Sequence, residues 1–113
     1  MHELALSQSI VDLVVEHARR EGLHSVARVT VEVGVAAGIE PDALRFCFDI
    51  VSSGTLAQGA ELGIEKIALQ VRCGICGCEF EPPRLVFACP SCGSYARRLL
   101  RGREFRIRSF DGE

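Results

Sequence analysis

Apolar residues recur at helical spacing near the start of the chain and alternate strictly a few residues later. From Glu3 to Glu21 they stand three or four positions apart, and Gly22 follows as a helix stop. From Val29 to Val35 every second residue is valine. The first pattern predicts a helix, and the second predicts a strand with one face in a core.

A second helical stripe begins beside Glu40. Pro41 suits the first position of a helix, and Gly54 suits the position after its end. The predicted buried stripe consists of Leu44, Cys47, Phe48 and Val51. Because Cys47 lies on this stripe, away from the other cysteines, we interpret it as a small hydrophobic residue and not as a metal ligand.

Two further extended segments follow. Between Glu61 and Arg72 the apolar residues change face, which predicts a bulge or break near Lys66. Phe105 to Phe110 predicts a short closing strand. The order of elements favours an α/β fold, in which a small mixed three-stranded sheet packs with two helices and a cysteine-rich segment is inserted as a separate lobe.

Composition fits this small folded domain. The chain has 113 residues, of which 48% are hydrophobic and 25% are charged, so a packed core is expected. No apolar run approaches the roughly 18 residues of a membrane span. Glu3, Asp12 and Glu16 interrupt the first segment, and no basic region precedes it. We therefore expect neither a signal peptide nor a membrane partner, and a cytoplasmic location.

Charge is distributed unevenly along the chain. Residues 1–65 carry ten acidic and four basic side chains, whereas residues 66–113 carry nine basic and five acidic ones. The basic end is concentrated in Arg97, Arg98, Arg101, Arg103, Arg106 and Arg108. Such a cluster can contact nucleic acid. It can equally be a solvated face that meets an acidic protein, and the overall net charge of −2 favours this second interpretation.

Five of the six cysteines fall between positions 73 and 92, in two matched pairs with one spare. The pairs are Cys73 with Cys76 and Cys89 with Cys92, each followed by glycine, and Cys78 is the spare. Two such turns supply tetrahedral sulfur coordination, which suits Zn²⁺ and leaves no open position for catalysis. We predict a structural Zn(II) site formed by these two pairs, in a zinc-binding domain over residues 73–98.

The N-terminal residues offer a different kind of donor set. The free amine of Met1, the backbone amide of His2 and the His2 imidazole can chelate one ion through small fused rings. Nitrogen-rich, tetragonal surroundings favour Ni²⁺ or Cu²⁺ over Zn²⁺. Taken alone, a histidine at position 2 is most often accidental, so the residues permit a metal site without requiring one.

Three parts of the sequence together resemble the HypA/HybF family of hydrogenase nickel-insertion proteins. They are the start Met-His-Glu-Leu, the stretch Gly-Ile-Glu-Pro-Asp-Ala-Leu-Arg-Phe-Cys-Phe-Asp from Gly38 to Asp49, and the paired cysteine motifs. The resemblance implies a nickel-binding domain formed by residues 1–72 and 99–113. It also implies nickel ligation by Met1 and His2, with Glu3 next to the site and Glu40 as a further candidate.

The resemblance further implies what the chain does. The expected function is a metallochaperone, not an enzyme, that carries Ni(II) to the large subunit of [NiFe] hydrogenase with a nickel-handling maturation GTPase as partner. The alternative from another class is a zinc-ribbon nucleic-acid-binding module that uses the arginine cluster. Against that alternative stand the acidic isoelectric point of about 5.9 and the Met-His-Glu start, which it leaves unexplained. We therefore expect no nucleic-acid partner.

Overall fold

Eight elements follow one another along residues 2–113, the part of the chain that the computed structural model describes. The helices are α1 (Glu3–Arg20) and α2 (Pro41–Ser52). The strands are β1 (Val26–Gly34), β2 (Glu61–Ile67), β3 (Gln70–Cys73), β4 (Glu79–Phe80), β5 (Arg97–Arg101) and β6 (Phe105–Gly112). Within these residues neither helix is long and apolar enough to cross a bilayer.

The first sheet has β1 at its centre, in the order β2-β1-β6. β1 pairs with β2 in parallel, with Val29 opposite Leu62, and with β6 in antiparallel, with Val31 opposite Ile107. A parallel neighbour on one side and an antiparallel neighbour on the other make this a mixed sheet. The predicted three-stranded mixed sheet is confirmed.

One face of this sheet packs against the two helices and forms the core. The alternating valines Val29, Val31 and Val33 are buried on this face, as the strict alternation predicts. The helices contribute further buried residues: Ile10, Val11, Val14 and Ala18 from α1, and Leu44 and Phe48 from α2. The hydroxyl of Ser7 donates to the Leu44 carbonyl at 3.1 Å, so the helices are also joined by a buried hydrogen bond.

The opposite face of the first sheet is covered by ion pairs. Arg28 pairs with Glu61 across β1 and β2, and Arg106 pairs with Glu32 across β6 and β1. Arg108 pairs with Glu65 at 2.6 Å. These exposed pairs keep one face of the sheet polar. Two of the arginines that form them, Arg106 and Arg108, belong to the basic cluster.

The chain leaves the first sheet between β2 and β3 and enters a second one. The second sheet is antiparallel, in the order β4-β3-β5. The break lies at Ala68 and Leu69, two residues beyond the predicted bulge near Lys66. The apolar residues change face there because β3 has different partners from β2. The second sheet runs from Gln70 to Arg101, so it extends three residues beyond each end of the predicted 73–98 domain, and that division stays a prediction.

The loop after β1 is hydrogen-bonded to both segments that connect the two sheets. Val35 N–H donates to the Ile67 carbonyl at 3.0 Å, at the end of β2. Ala36 N–H donates to the Gly102 carbonyl at 2.7 Å, in the segment that returns to β6. The entrance and exit of the second sheet are therefore fixed to the same short loop.

The burial of side chains on α2 leads to a prediction about the stability of the protein. Phe48 is fully buried, whereas Phe46, two residues earlier on the same helix, is 67% exposed. Phe48→Ala is expected to lower the free energy of unfolding by about 3–5 kcal/mol, because it removes a buried ring and leaves a cavity. Phe46→Ala, the matched control, should change it by about 0.5 kcal/mol or less. Urea unfolding followed by helical circular dichroism measures both, and equal losses would contradict the assignment of the core.

Candidate metal centre

Four cysteine sulfurs converge between the two turns of the second sheet. Those of Cys73, Cys76, Cys89 and Cys92 all lie within 4.8 Å of one another. The Cys73–Cys92 and Cys76–Cys89 sulfur distances are both 3.6 Å. Four sulfurs bound tetrahedrally to Zn²⁺ at about 2.3 Å would stand about 3.8 Å apart. The donor type and the spacing therefore fit a tetrahedral zinc ion.

Backbone amides point at the first sulfur of each pair. Ile75 N–H donates to the sulfur of Cys73 at 3.4 Å, and Ser91 N–H donates to the sulfur of Cys89 at 3.4 Å. A thiolate accepts such hydrogen bonds better than a neutral thiol does, so these amides stabilise the form that binds metal. The two turns are thus equivalent in structure as well as in sequence.

A glycine closes each of these turns. Gly77 N–H donates to the Cys73 carbonyl at 3.1 Å, and Gly93 N–H donates to the Cys89 carbonyl at 2.8 Å. Both glycines have a positive φ, 78° and 77°, which side chains other than glycine rarely adopt. The glycine after each cysteine pair is therefore needed to reverse the chain and aim two sulfurs at one point.

The turn geometry separates the acidities of the sulfurs. Amide hydrogen bonds from Cys76 and Ile75 lower the pKa of Cys73 to about 6. For Cys76 the Cys78 amide acts in the same direction, but the neighbouring Cys89 sulfur and burial outweigh it and raise the pKa of Cys76 to about 12. Without metal the cluster therefore retains protons, and a bound cation would displace them.

The other two cysteines lie outside this cluster. The Cys78 sulfur is 3.4 Å from the Ser91 hydroxyl, and the Cys78 carbonyl accepts from the Cys73 amide at 2.8 Å. Cys78 thus supports the first turn through its backbone. Cys47 is half-buried on α2, in the first part of the fold. The assignment of the four converging cysteines as the zinc ligands stays a prediction that this geometry favours.

The predicted nickel residues lie at the start of α1. Met1 lies outside the described residues. His2 is exposed, and its carbonyl accepts the Leu6 amide at 2.9 Å in the first turn of the helix. Glu3 is only 7% exposed, and its carboxylate accepts the Glu40 amide at 3.0 Å. The structure therefore brings Glu3 and the backbone of Glu40 together across 37 positions of sequence.

The side chain of Glu40 has a local role that the sequence analysis missed. Its carboxylate accepts the Asp42 amide at 3.0 Å and caps the first turn of α2. An acidic residue directly before Pro41 was the available signal, since side-chain oxygens at that position bind free amides of a helix start. The amide of Glu40 in turn lowers the pKa of Glu3, so the Glu3 carboxylate is held ionised beside His2.

The known proteins that are similar in sequence to this chain are described as nickel-incorporation or hydrogenase maturation factors. The family described as HypA, hydrogenase/urease nickel incorporation, metallochaperone, matches residues 1–112. A hydrogenase maturation factor HypA from Chlorobium limicola is 49% identical over 109 residues, which cover 96% of this chain and 94% of that protein. A hydrogenase maturation factor HybF from Klebsiella pneumoniae is 42% identical, and the match covers 100% of both chains.

Two solved structures also have this fold. The solution structure of a HypA protein superposes with a TM-score of 0.74 at 26% identity, covering 100% of this chain and 97% of that one. The solution structure of the Ni metallochaperone HypA from Helicobacter pylori gives a TM-score of 0.67 at 25% identity, covering 99% and 97%. Sequence and fold agree over nearly the whole length. The chain therefore belongs to the HypA family of hydrogenase and urease nickel-incorporation metallochaperones.

Proposed function

We propose that this chain binds Ni(II) at its N-terminus and delivers it to the large subunit of a [NiFe] hydrogenase during maturation. The observation that carries the proposal is the pairing of an exposed His2 with a buried, ionised Glu3 at the start of α1. An exposed imidazole can exchange a metal with a partner. A fixed carboxylate beside it supplies negative charge that favours a cation.

The proposed nickel ligands are nitrogen atoms of the first two residues. They are the Met1 amine, the His2 backbone amide and the His2 imidazole, with Glu3 adjacent. Glu40 has a weaker claim to ligation than the sequence suggested, because its carboxylate is engaged by the Asp42 amide. We assign Glu40 a supporting part, in which its backbone amide fixes the Glu3 carboxylate.

The proposed role of the four-cysteine cluster is structural. Zn(II) bound by Cys73, Cys76, Cys89 and Cys92 would hold the two turns of the second sheet together, with no coordination position left for substrate. Nickel is then the cargo and zinc the resident ion. The chain is proposed to act in the cytoplasm, as a carrier and not as an enzyme, together with a maturation GTPase.

The alternative of a zinc-ribbon nucleic-acid module has less support. Two of the six clustered arginines, Arg106 and Arg108, form ion pairs with Glu32 and Glu65 on the first sheet. Neutralised guanidinium groups contribute little to phosphate binding.

Nickel transfer tests the proposed function directly. The zinc-loaded protein, charged with one equivalent of radioactive nickel, is mixed with the metal-free hydrogenase large subunit and the maturation GTPase, and the label is followed by size-exclusion chromatography. We expect nickel to move to the large subunit from the unaltered protein. His2→Ala should transfer almost none, because it lacks the imidazole.

The matched control is His24→Ala, which removes another exposed histidine, away from the start of α1. It should transfer nickel as the unaltered protein does. Transfer by His2→Ala equal to that of His24→Ala would overturn the proposed nickel site. Nickel retention by the unaltered protein in the presence of both partners would overturn the delivery function.

A further inference from the structure

A pocket of about 390 Å³ lies on the second sheet, and none of the residues that line it is a proposed metal ligand. It is lined by Leu85, Tyr95, Arg97, Leu99 and Arg103, and we call it the arginine pocket. Two guanidinium groups thus stand beside two leucines and a tyrosine. Neither nickel binding at the N-terminus nor zinc binding by the cysteines requires this combination.

The two arginines of the pocket have unused binding capacity. Among residues 2–113, Arg97 and Arg103 form no ion pair, whereas Arg72, on the neighbouring strand β3, pairs with Glu79 at 2.6 Å. A guanidinium group presents a rigid fork of donors that matches a carboxylate with two hydrogen bonds. The pocket is therefore electropositive and complementary to carboxylate groups.

Part of the apolar lining of the pocket is exposed to solvent. Tyr95 is 62% exposed and Leu85 is 38% exposed, and Val86, next to Leu85 in the chain, is 66% exposed. Tyrosine and arginine are enriched where protein interfaces concentrate their binding energy. Covering exposed leucine and valine with a partner lowers the free energy of the system. This composition is typical of a protein-binding surface.

The arrangement of the arginines favours a protein ligand over nucleic acid. Side chains alternate along β5, so Arg98 points to the face opposite Arg97 and Leu99. The basic side chains of β5 are thus divided between two faces and do not follow one another as a continuous track for a phosphate backbone. A carboxylate next to an apolar side chain matches the pocket better than a run of phosphates does.

We propose that the arginine pocket binds an acidic segment of a partner protein. Carboxylates of the segment bind Arg97 and Arg103, and an apolar side chain next to them packs against Leu85 and Tyr95. This interaction goes beyond the proposed nickel function and does not rest on it, since none of these residues belongs to either metal site.

The composition of the chain provides a direct probe of this pocket. Tyr95 is the only tyrosine, and there is no tryptophan. Tyrosine emission therefore reports on the arginine pocket alone. A segment that covers Tyr95 should protect it from acrylamide, a neutral quencher.

The experiment titrates the zinc-loaded full chain with a short peptide of aspartate, glutamate and leucine that contains no aromatic residue. We expect saturable protection of the Tyr95 emission. Arg97→Ala and Arg103→Ala should each raise the Kd by about tenfold or more, since each removes hydrogen bonds to a charged group. Arg98→Ala, the matched control on the same strand, should leave the Kd unchanged.

Two further ligands separate the alternatives. A peptide with asparagine and glutamine in place of the acids, and a single-stranded oligonucleotide of equal length, should both bind at least about tenfold more weakly than the acidic peptide. Tighter binding of the oligonucleotide would overturn the proposal in favour of nucleic acid. No protection by the acidic peptide, or equal losses in Arg97→Ala and Arg98→Ala, would overturn it as well. Protection that grows with protein concentration alone would identify a second copy of this chain as the occupant and contradict the proposed partner.

Discussion

Cys89→Ala is expected to release the zinc and to unfold the second sheet. That sheet consists of strands of four, two and five residues, and few apolar side chains around it are buried, among them Leu69 and Val71. So small a core cannot by itself offset the conformational entropy of the segment. Structural zinc supplies on the order of 10 kcal/mol in small motifs, so its loss should remove most of the local stability. Elemental analysis measures the zinc, and amide hydrogen exchange measures the unfolding.

The chain contains its own control for this prediction. Cys78→Ala removes a cysteine that lies between the two pairs but outside the sulfur cluster, and it should retain one equivalent of zinc. In both variants the first sheet should keep its protection, because its core is formed with α1 and α2 and includes no residue of the second sheet. Unchanged zinc in Cys89→Ala, or zinc lost from Cys78→Ala alone, would show that the ligands are wrongly assigned.

Extending the chain before Met1 is expected to abolish specific nickel binding and leave zinc in place. The extension converts the terminal amine into an amide, which removes one proposed ligand and displaces the free end of the chelate. His2→Ala removes the imidazole and should have a similar effect. Loss of a group that only supports a metal ligand typically costs 10-fold to 100-fold in affinity, so loss of a ligand itself should cost more than about 100-fold. Titration calorimetry of untagged protein measures the affinity.

Two comparisons make the nickel prediction specific. An untagged His24→Ala variant should bind nickel as tightly as the unaltered protein, because His24 lies beyond the far end of α1. Lowering the pH should weaken binding in both of these proteins, since protons compete with nickel for the same nitrogen atoms. Equal affinity in the extended, His2→Ala and unaltered proteins would place nickel elsewhere on the chain.

The parts of the fold that were predictable from sequence are those in which a repeating pattern meets the core. The alternating valines of β1 and the helical stripe of α2 each face the buried side of the first sheet. The strands of the second sheet lack such a signal. β5 is Arg-Arg-Leu-Leu-Arg, which has no strict alternation, and β4 has only two residues. The cysteine turns and the pairing with β3 determine their positions. Neither the turns' geometry nor this pairing can be predicted from the local pattern of apolar residues.

The candidate sites also differ in how far a local sequence pattern predicts them. The cysteine cluster was predictable because each pair of ligands lies within one short turn, and the repeated glycine indicates how that turn is made. The contact between Glu3 and Glu40 was not predictable, since it depends on how α1 and α2 pack. The resemblance to a family pointed to Glu40, but only the structure distinguishes its backbone, which contacts Glu3, from its side chain, which caps α2.

The position of the second sheet within the chain has a consequence for how such a protein can evolve. Ile67 and Phe105 end and begin strands on either side of β1, opposite Gly34 and Val33. Two strand spacings of about 4.8 Å separate them, so the whole intervening segment departs and returns across about 10 Å. The segment between them can therefore be inserted, deleted or exchanged as one unit while β2, β1 and β6 keep their register. The hydrogen bonds that the Gly34 and Ala36 amides donate to the Glu104 and Gly102 carbonyls would then need replacement.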